Sequence, residues 1–187
     1  FGKSYSPEKH WVDEAFAYAE SKNVLLVHAA GNDAKNVDTA YNFPNPAFIN
    51  GGRSNTTITV GASAEPKSGS YTASFSNYGK KEVDVFAPGA KIYSTLPGGN
   101  NYGNLSGTSM ACPLVAGIAA LTLEYFPNLT AKQLKYVIEK SAQAPKEKVT
   151  KPGTDEKVPM SDISKTGGIV NAFEAVNCGE AHVAQIS

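Results

Sequence analysis

The segment 110–126 constrains the fold most. Met110, Ala111, Leu114, Val115, Ile118, Ala119, Leu121, Leu123 and Phe126 cover nearly every side of a helix, so little polar face is left for water. A water-soluble chain buries such a helix in its centre, against other elements. Pro113 lies early in the helix, where a missing N–H is tolerated, and Pro127-Asn128 stops it.

The flanking sequence supplies the elements to bury it. Ser6-Pro7 fits a helix start, with Ser6 as cap and Pro7 in the first turn. Trp11, Ala15, Phe16 and Ala19 then form one apolar stripe, and Asn23 ends the helix. Val24-Leu25-Leu26-Val27-His28-Ala29 is short and almost wholly apolar, as in a parallel strand covered on both faces. Thr57-Ile58-Thr59-Val60-Gly61-Ala62, Val83-Asp84-Val85-Phe86 and Ile92-Tyr93-Ser94-Thr95 read as further strands, punctuated by Pro88-Gly89 and Pro97-Gly98-Gly99. Thr130 with Gln133 fits a capping box for a helix whose inner face is Leu134, Val137 and Ile138. A last short helix contains Ala172, Phe173 and Val176. Helices alternating with buried strands predict an α/β fold, with a parallel central sheet flanked by helices. Two stretches read as irregular. Residues 33–55 form an Asn/Pro/Gly-rich loop long enough to suggest function. Residues 144–166, rich in Lys and Pro, read as a surface insertion within the single domain 1–187.

Composition narrows the function classes. The 17 basic and 17 acidic residues cancel, which argues against nucleic acid or an anionic membrane as partner. The longest apolar run falls far short of the roughly 18 residues that suggest a membrane helix. Cys112 and Cys178 lack zinc spacing and are too few for a disulfide scaffold; either two free, partly buried thiols or one bridge fits. The chain opens at Phe1 without an initiator Met, as a processed or truncated piece does.

The chemically informative stretch leads into the apolar helix: Ser106-Gly107-Thr108-Ser109-Met110-Ala111-Cys112-Pro113. Ser109 falls at the helix N-terminus, where free N–H groups and the positive dipole end favour a developing negative charge. That environment suits a nucleophile whose reaction passes through an oxyanion. Locally, the commonest reason for a Ser before an apolar helix is capping.

Gly107-Thr108-Ser109-Met110-Ala111-Cys112-Pro113-Leu114-Val115-Ala116-Gly117 resembles the nucleophile segment of the subtilisin-like serine proteases, the subtilases. The resemblance extends in order through Val27-His28-Ala29-Ala30-Gly31-Asn32, Thr59-Val60-Gly61-Ala62, Ser74-Phe75-Ser76-Asn77-Tyr78-Gly79, Val85-Phe86-Ala87-Pro88-Gly89, Ser94-Thr95-Leu96-Pro97-Gly98 and Gly168-Ile169-Val170-Asn171-Ala172. It implies the C-terminal portion of a subtilase catalytic domain, with a buried central helix that starts at the nucleophile. By this resemblance Ser109 is the nucleophile and Asn32 an oxyanion donor, with the Ser109 backbone N–H as the second donor. Thr108 gives a supporting hydroxyl. Ala29, Ala30 and Gly31 form one wall of the primary specificity pocket, and Gly2 belongs to the opposite wall. The implied activity is peptide-bond hydrolysis through an acyl-enzyme, in a secreted or envelope compartment. The family often binds calcium, but no ligand set is assignable from the acidic residues here, and no other cofactor is evident.

The departures shape the expectation. The family order is Asp, His, Ser, yet only 31 residues precede Asn32 and none carries the family's Asp or His segment. His10 belongs near a helix start, His28 on a strand and His182 in the C-terminal tail, and none suits the role of catalytic base. A Ser hydroxyl without a base is a weak nucleophile. The isolated chain is therefore expected to be inactive, its partner being the upstream part of the same domain and its substrate a polypeptide. Leu114 stands where the family has a His that is not the base, and Cys112 replaces a small residue one turn after Ser109. Two other readings are a subtilase-derived binding or structural module and a different hydrolase using Ser109. The absence of a Gly-x-Ser-x-Gly elbow argues against an α/β-hydrolase.

Overall fold

A computed structural model describes residues 6–66 and 70–184. Its architecture is the expected α/β arrangement. Helix α1 (Lys9–Ser21) precedes strands β1 (Leu26–Ala29), β2 (Thr57–Ser63) and β3 (Val85–Pro88), which form one parallel sheet in the order β1-β2-β3. In register, Leu26 lies beside Thr57 and Val60 beside Val85. An antiparallel hairpin, β4 (Ile92–Leu96) and β5 (Asn101–Leu105), leads into α2 (Thr108–Tyr125). Helix α3 (Ala131–Lys140), a short hairpin of β6 (Val149–Thr150) and β7 (Lys157–Val158), and α4 (Ala172–Ala184) follow.

The core forms where α2 crosses the sheet. Ile58, Val60 and Ala62 from β2 and Val85 and Ala87 from β3 pack on Ala111, Val115 and Ala119 of α2, backed by Leu134 and Ile138 of α3. β2 is buried along its whole length, as its apolar sequence implies for a central parallel strand. Thr130 caps α3 through the capping box with Gln133.

Helix boundaries follow local chemistry. α1 begins at Lys9 rather than at the Ser6 cap; Ser6 O accepts the Lys9 N–H, and the observed cap, Glu8, makes no side-chain bond. Asn23 ends α1 in the left-handed region at φ 58°, which Asn tolerates. Its Oδ1 also accepts the Ala131 N–H at 2.8 Å, so the same side chain closes α1 and opens α3.

Three expectations are corrected. Helix α2 is not buried all round: Ser109, Pro113, Ala116, Gly117, Ala120 and Leu121 form an exposed stripe of mostly small and apolar residues. β1 is half-buried, because it is a sheet edge paired only with β2. By length and composition α2 could cross a membrane, but its buried residues pack on all three strands and on α3 and α4, which accounts for their apolarity. The segment 144–166 is not merely a solvated excursion. Val149, Val158, Met160 and Ile163 are buried in a second core cluster with Ala30, Val37, Val83 and Phe86, and the Lys and Pro residues lie between these anchors. Cys112 and Cys178 are both free and half-buried.

Candidate functional site

The end of β1 meets the start of α2. Gly107, in extended backbone, occupies the helix-capping position and no side chain caps the helix. Thr108 and Ser109 are therefore the first two helical residues, and the reading of Ser109 as a plain cap does not describe the fold. Ser109 is exposed, and among the described residues its hydroxyl is committed to no hydrogen bond.

Three hydrogen bonds join the two elements. The Gly31 N–H donates to Thr108 Oγ1 at 3.0 Å. The Thr108 N–H and hydroxyl both donate to Asn32 Oδ1, at 2.9 and 3.0 Å. The carbonyl end of the Asn32 amide is thus fixed, and among the described residues its Nδ2 has no acceptor. The Ser109 N–H, in the first helical turn, has none either. Both donors lie near one place: a methyl built on Gly107 would be 3.5 Å from Asn32 Nδ2, 3.6 Å from Ser109 N and 3.8 Å from Asn32 Oδ1.

Beside this corner is an open cleft of about 740 Å³, lined by Trp11, Val12 and Phe16 of α1, by Val27, His28 and Ala29 of β1, by Gly31, Asn32 and Asp33 after it, and by Thr108 and Ser109. The α1 stripe expected from the sequence faces this cleft rather than a closed core. Ala30 does not line it. Its side chain is fully buried in the second core cluster, and its carbonyl is taken by the Asn42 and Asn77 amides at 2.8 and 2.9 Å. Gly2 lies outside the described residues.

No histidine supplies a base to Ser109 among the described side chains. His10 is exposed on α1 against Trp11, and the side chain of His182 lies outside the described residues. His28 Nδ1 is buried without a partner. Burial holds the imidazole neutral with a pKa of about 4, the nearby Asp84 charge offsetting only part of the shift. The linkage is direct: a base with a folded pKa near 4 and an unfolded value of 6.5 leaves stability untouched above pH 6.5 and lowers it as pH falls toward 4. The loss by pH 4 is about 3 kcal/mol. Urea midpoints measured between pH 7 and 4 should therefore fall less steeply for His28→Val than for the parent; parallel slopes would refute the assignment.

Burial also raises the Cys112 thiol pKa. Its Sγ contacts Val27 O at 3.3 Å, which suits packing between helix and strand rather than thiolate chemistry. Among the described residues no three His, Cys, Asp or Glu side chains converge, and Asp38 Oδ1 is engaged by the Lys81 and Glu82 N–H groups.

One residue at the corner escaped sequence reasoning. Asn77 is 1% exposed and reaches both sides of Asn32. In sequence it stood only within Ser74-Phe75-Ser76-Asn77-Tyr78-Gly79, one of the segments of family resemblance, with no role of its own.

Comparison with known proteins places this geometry. A model of the subtilase family matches residues 1–164. The chain is 37% identical over 169 residues to Subtilisin-like protease 1 of Arthroderma otae, covering 90% of this chain and 30% of that protein. It is 42% identical over 125 residues to Subtilisin NAT of Bacillus subtilis subsp. natto, covering 66% of this chain and 30% of that protein. The structure of the prenylagaramide maturation protease PagA matches with a TM-score of 0.70 at 25% identity, over 96% of this chain and 59% of that one. The chain thus spans about a third of the length of the curated relatives it matches. With the match extending from β1 through the start of α2 and beyond, the chain belongs to the subtilase family of peptidases.

Proposed function

We propose that this chain is the nucleophile-bearing part of a serine endopeptidase, completed by an upstream segment that carries the Asp and His. The observation that carries the reading is the pair of donors, Asn32 Nδ2 and the Ser109 N–H, that lie near one point at the start of α2. In the proposed reaction Ser109 Oγ attacks the scissile carbonyl carbon while the upstream His takes its proton. The carbonyl oxygen becomes an oxyanion held by the two donors. The C–N bond then breaks as the amine leaves with that proton, and water releases the acyl group from Ser109. Ala29 and Gly31, the small residues of the cleft next to Asn32, leave room for a large apolar side chain before the scissile bond. Asp33 at its rim adds room for a basic one.

The exposed stripe of α2 and the unpaired edge of β1 support the need for an upstream partner. Both are apolar or hydrogen-bonding surfaces that a complete sheet would cover. Export follows from the family reading. A fluorophosphonate probe tests the proposal. Labelling at Ser109 is expected in the longer precursor and not in the isolated chain. A precursor that stays unlabelled favours a binding or structural module, and labelling of the isolated chain removes the need for an upstream base.

Gly107 offers a sharper check. Gly107→Ala places its methyl at the point the two donors share, with no atom closer than 3.5 Å. The backbone there is extended, so the variant folds normally. The precursor's kcat/KM should fall about 100-fold or more, as when an oxyanion donor is lost, with an unchanged melting temperature. Full activity would mean that the oxyanion forms elsewhere.

A further inference from the structure

We infer that Asn77 is a positioning residue for Asn32, acting through the backbone on both sides of it; the inference rests on the peptidase reading above. Asn77 is 45 residues away in sequence and 1% exposed. Its own N–H donates to Gly31 O at 2.8 Å, and its Nδ2 donates to Ala30 O at 2.9 Å. Its Oδ1 accepts the N–H groups of Asp33 at 3.0 Å and Lys35 at 2.9 Å. Four hydrogen bonds therefore grip the two residues before Asn32 and the chain just after it. Before Asn32 the Ala30 carbonyl is shared with the Asn42 amide and the Ala30 N–H donates to Val60 O; Asn77 is the side chain that bonds the chain on both sides, and Thr108 fixes the Asn32 side-chain oxygen.

The chemistry requires an asparagine. One short side chain must present a donor to Ala30 and an acceptor to two N–H groups. Asp would set a carboxylate oxygen against the Ala30 carbonyl, and Ser would lack the reach to serve both sides. The fit is tight enough to dictate a neighbour. A side chain on Gly31 would start 2.4 Å from Asn77 Nδ2, and Gly31 adopts φ 103°, a conformation suited to glycine. The surrounding bonds extend the clamp: the Ala34 N–H donates to Phe75 O, and the Tyr78 N–H to Lys35 O. The donor nitrogen of Asn32 thus has its backbone set by Asn77 and its amide plane set by Thr108. An oxyanion donor acts only if it waits in place before the charge develops, and a shift of about 1 Å in a positioned group can cost about 100-fold in rate.

The test uses the longer precursor and a double-mutant cycle. Asn77→Ala should lower kcat about 10 to 100-fold with KM within twofold. In an Asn32→Ala background the same substitution should change kcat by less than twofold, because the group it positions is gone. A loss of similar size in both backgrounds overturns the inference, since a merely structural role acts regardless of Asn32. If Asn77→Ala fails to fold, Asn77→Ser carries the same cycle. Amide exchange gives a readout independent of turnover. The Asp33 and Lys35 amides should be protected in the parent and exchange freely in Asn77→Ser; retained protection in the variant also overturns the inference. A parent that neither cleaves casein nor takes the fluorophosphonate at Ser109 instead refutes the proposed function, with the clamp still decided by exchange.

Discussion

On the proposed reading, Asn32→Ala should lower kcat of the completed protease about 100 to 1000-fold and leave KM nearly unchanged, the expected result for loss of a side-chain donor to an oxyanion. Thr108 donates twice to Asn32 Oδ1, which forces Nδ2 outward to where a methyl on Gly107 would be. Ala removes that donor and leaves the N–H and hydroxyl of the buried Thr108 without their acceptor, so a lower melting temperature should accompany the loss of rate. Substrate binding changes little because the neutral carbonyl makes a weaker bond than the oxyanion, so the loss appears in kcat. Asn32→Asp is the informative companion. It keeps an oxygen for Thr108 but turns a second oxygen, bearing charge, toward the developing anion, so its loss should be at least as large. Steady-state kinetics on a peptide substrate decide the matter, and a kcat within threefold of the parent for Asn32→Ala would place the oxyanion elsewhere.

The second large effect is on stability. Asp84→Ala should cost about 3–5 kcal/mol, the range for breaking a buried ion pair from one side. Asp84 is 1% exposed at the start of β3. Its Oδ2 accepts the Thr59 N–H at 2.7 Å, and its Oδ1 faces Lys135 Nζ at 3.2 Å and Lys165 Nζ at 3.6 Å. Lys135 is itself buried, close to Thr57 O and 3.4 Å from Glu139. Removing Asp84 strands a β2 N–H and leaves the Lys135 cation with one partly exposed carboxylate. Lys165→Ala is the control. Its ammonium is about half exposed, so its loss should cost no more than about 1 kcal/mol. Urea unfolding of the precursor measures both, and equal costs for the two variants would show that burial is not what sets the value.

The sequence made some of this visible and hid the rest for physical reasons. The capping box at Thr130 and the run of β2 were legible because each is decided within a few residues. Ser109 was legible as the start of an apolar helix, and Asn32 through its Ala-Ala-Gly-Asn context, but their meeting depends on contacts 76 residues apart. β5 was missed: Asn101-Tyr102-Gly103-Asn104-Leu105 has no β-branched residue, and it becomes a strand by pairing with β4. The burial of α2 was overestimated because apolar character records what a helix can contact, not what the described chain supplies. Residues 144–166 were misjudged because Lys and Pro dominate the count while Val149, Val158, Met160 and Ile163 do the anchoring. Asn77 could not be weighed at all, since an Asn in a turn looks alike whether or not it clamps a distant loop.

The order β1-β2-β3 of the parallel sheet is also the order of synthesis. As the chain leaves the ribosome, each of these strands finds its neighbour already made and adds to the same side, so the sheet grows in one direction without waiting for a later strand to be inserted. α2 and its nucleophile emerge only after all three strands exist. Ser109 is therefore set on strands that already exist, and α3 and α4 pack on its helix afterwards.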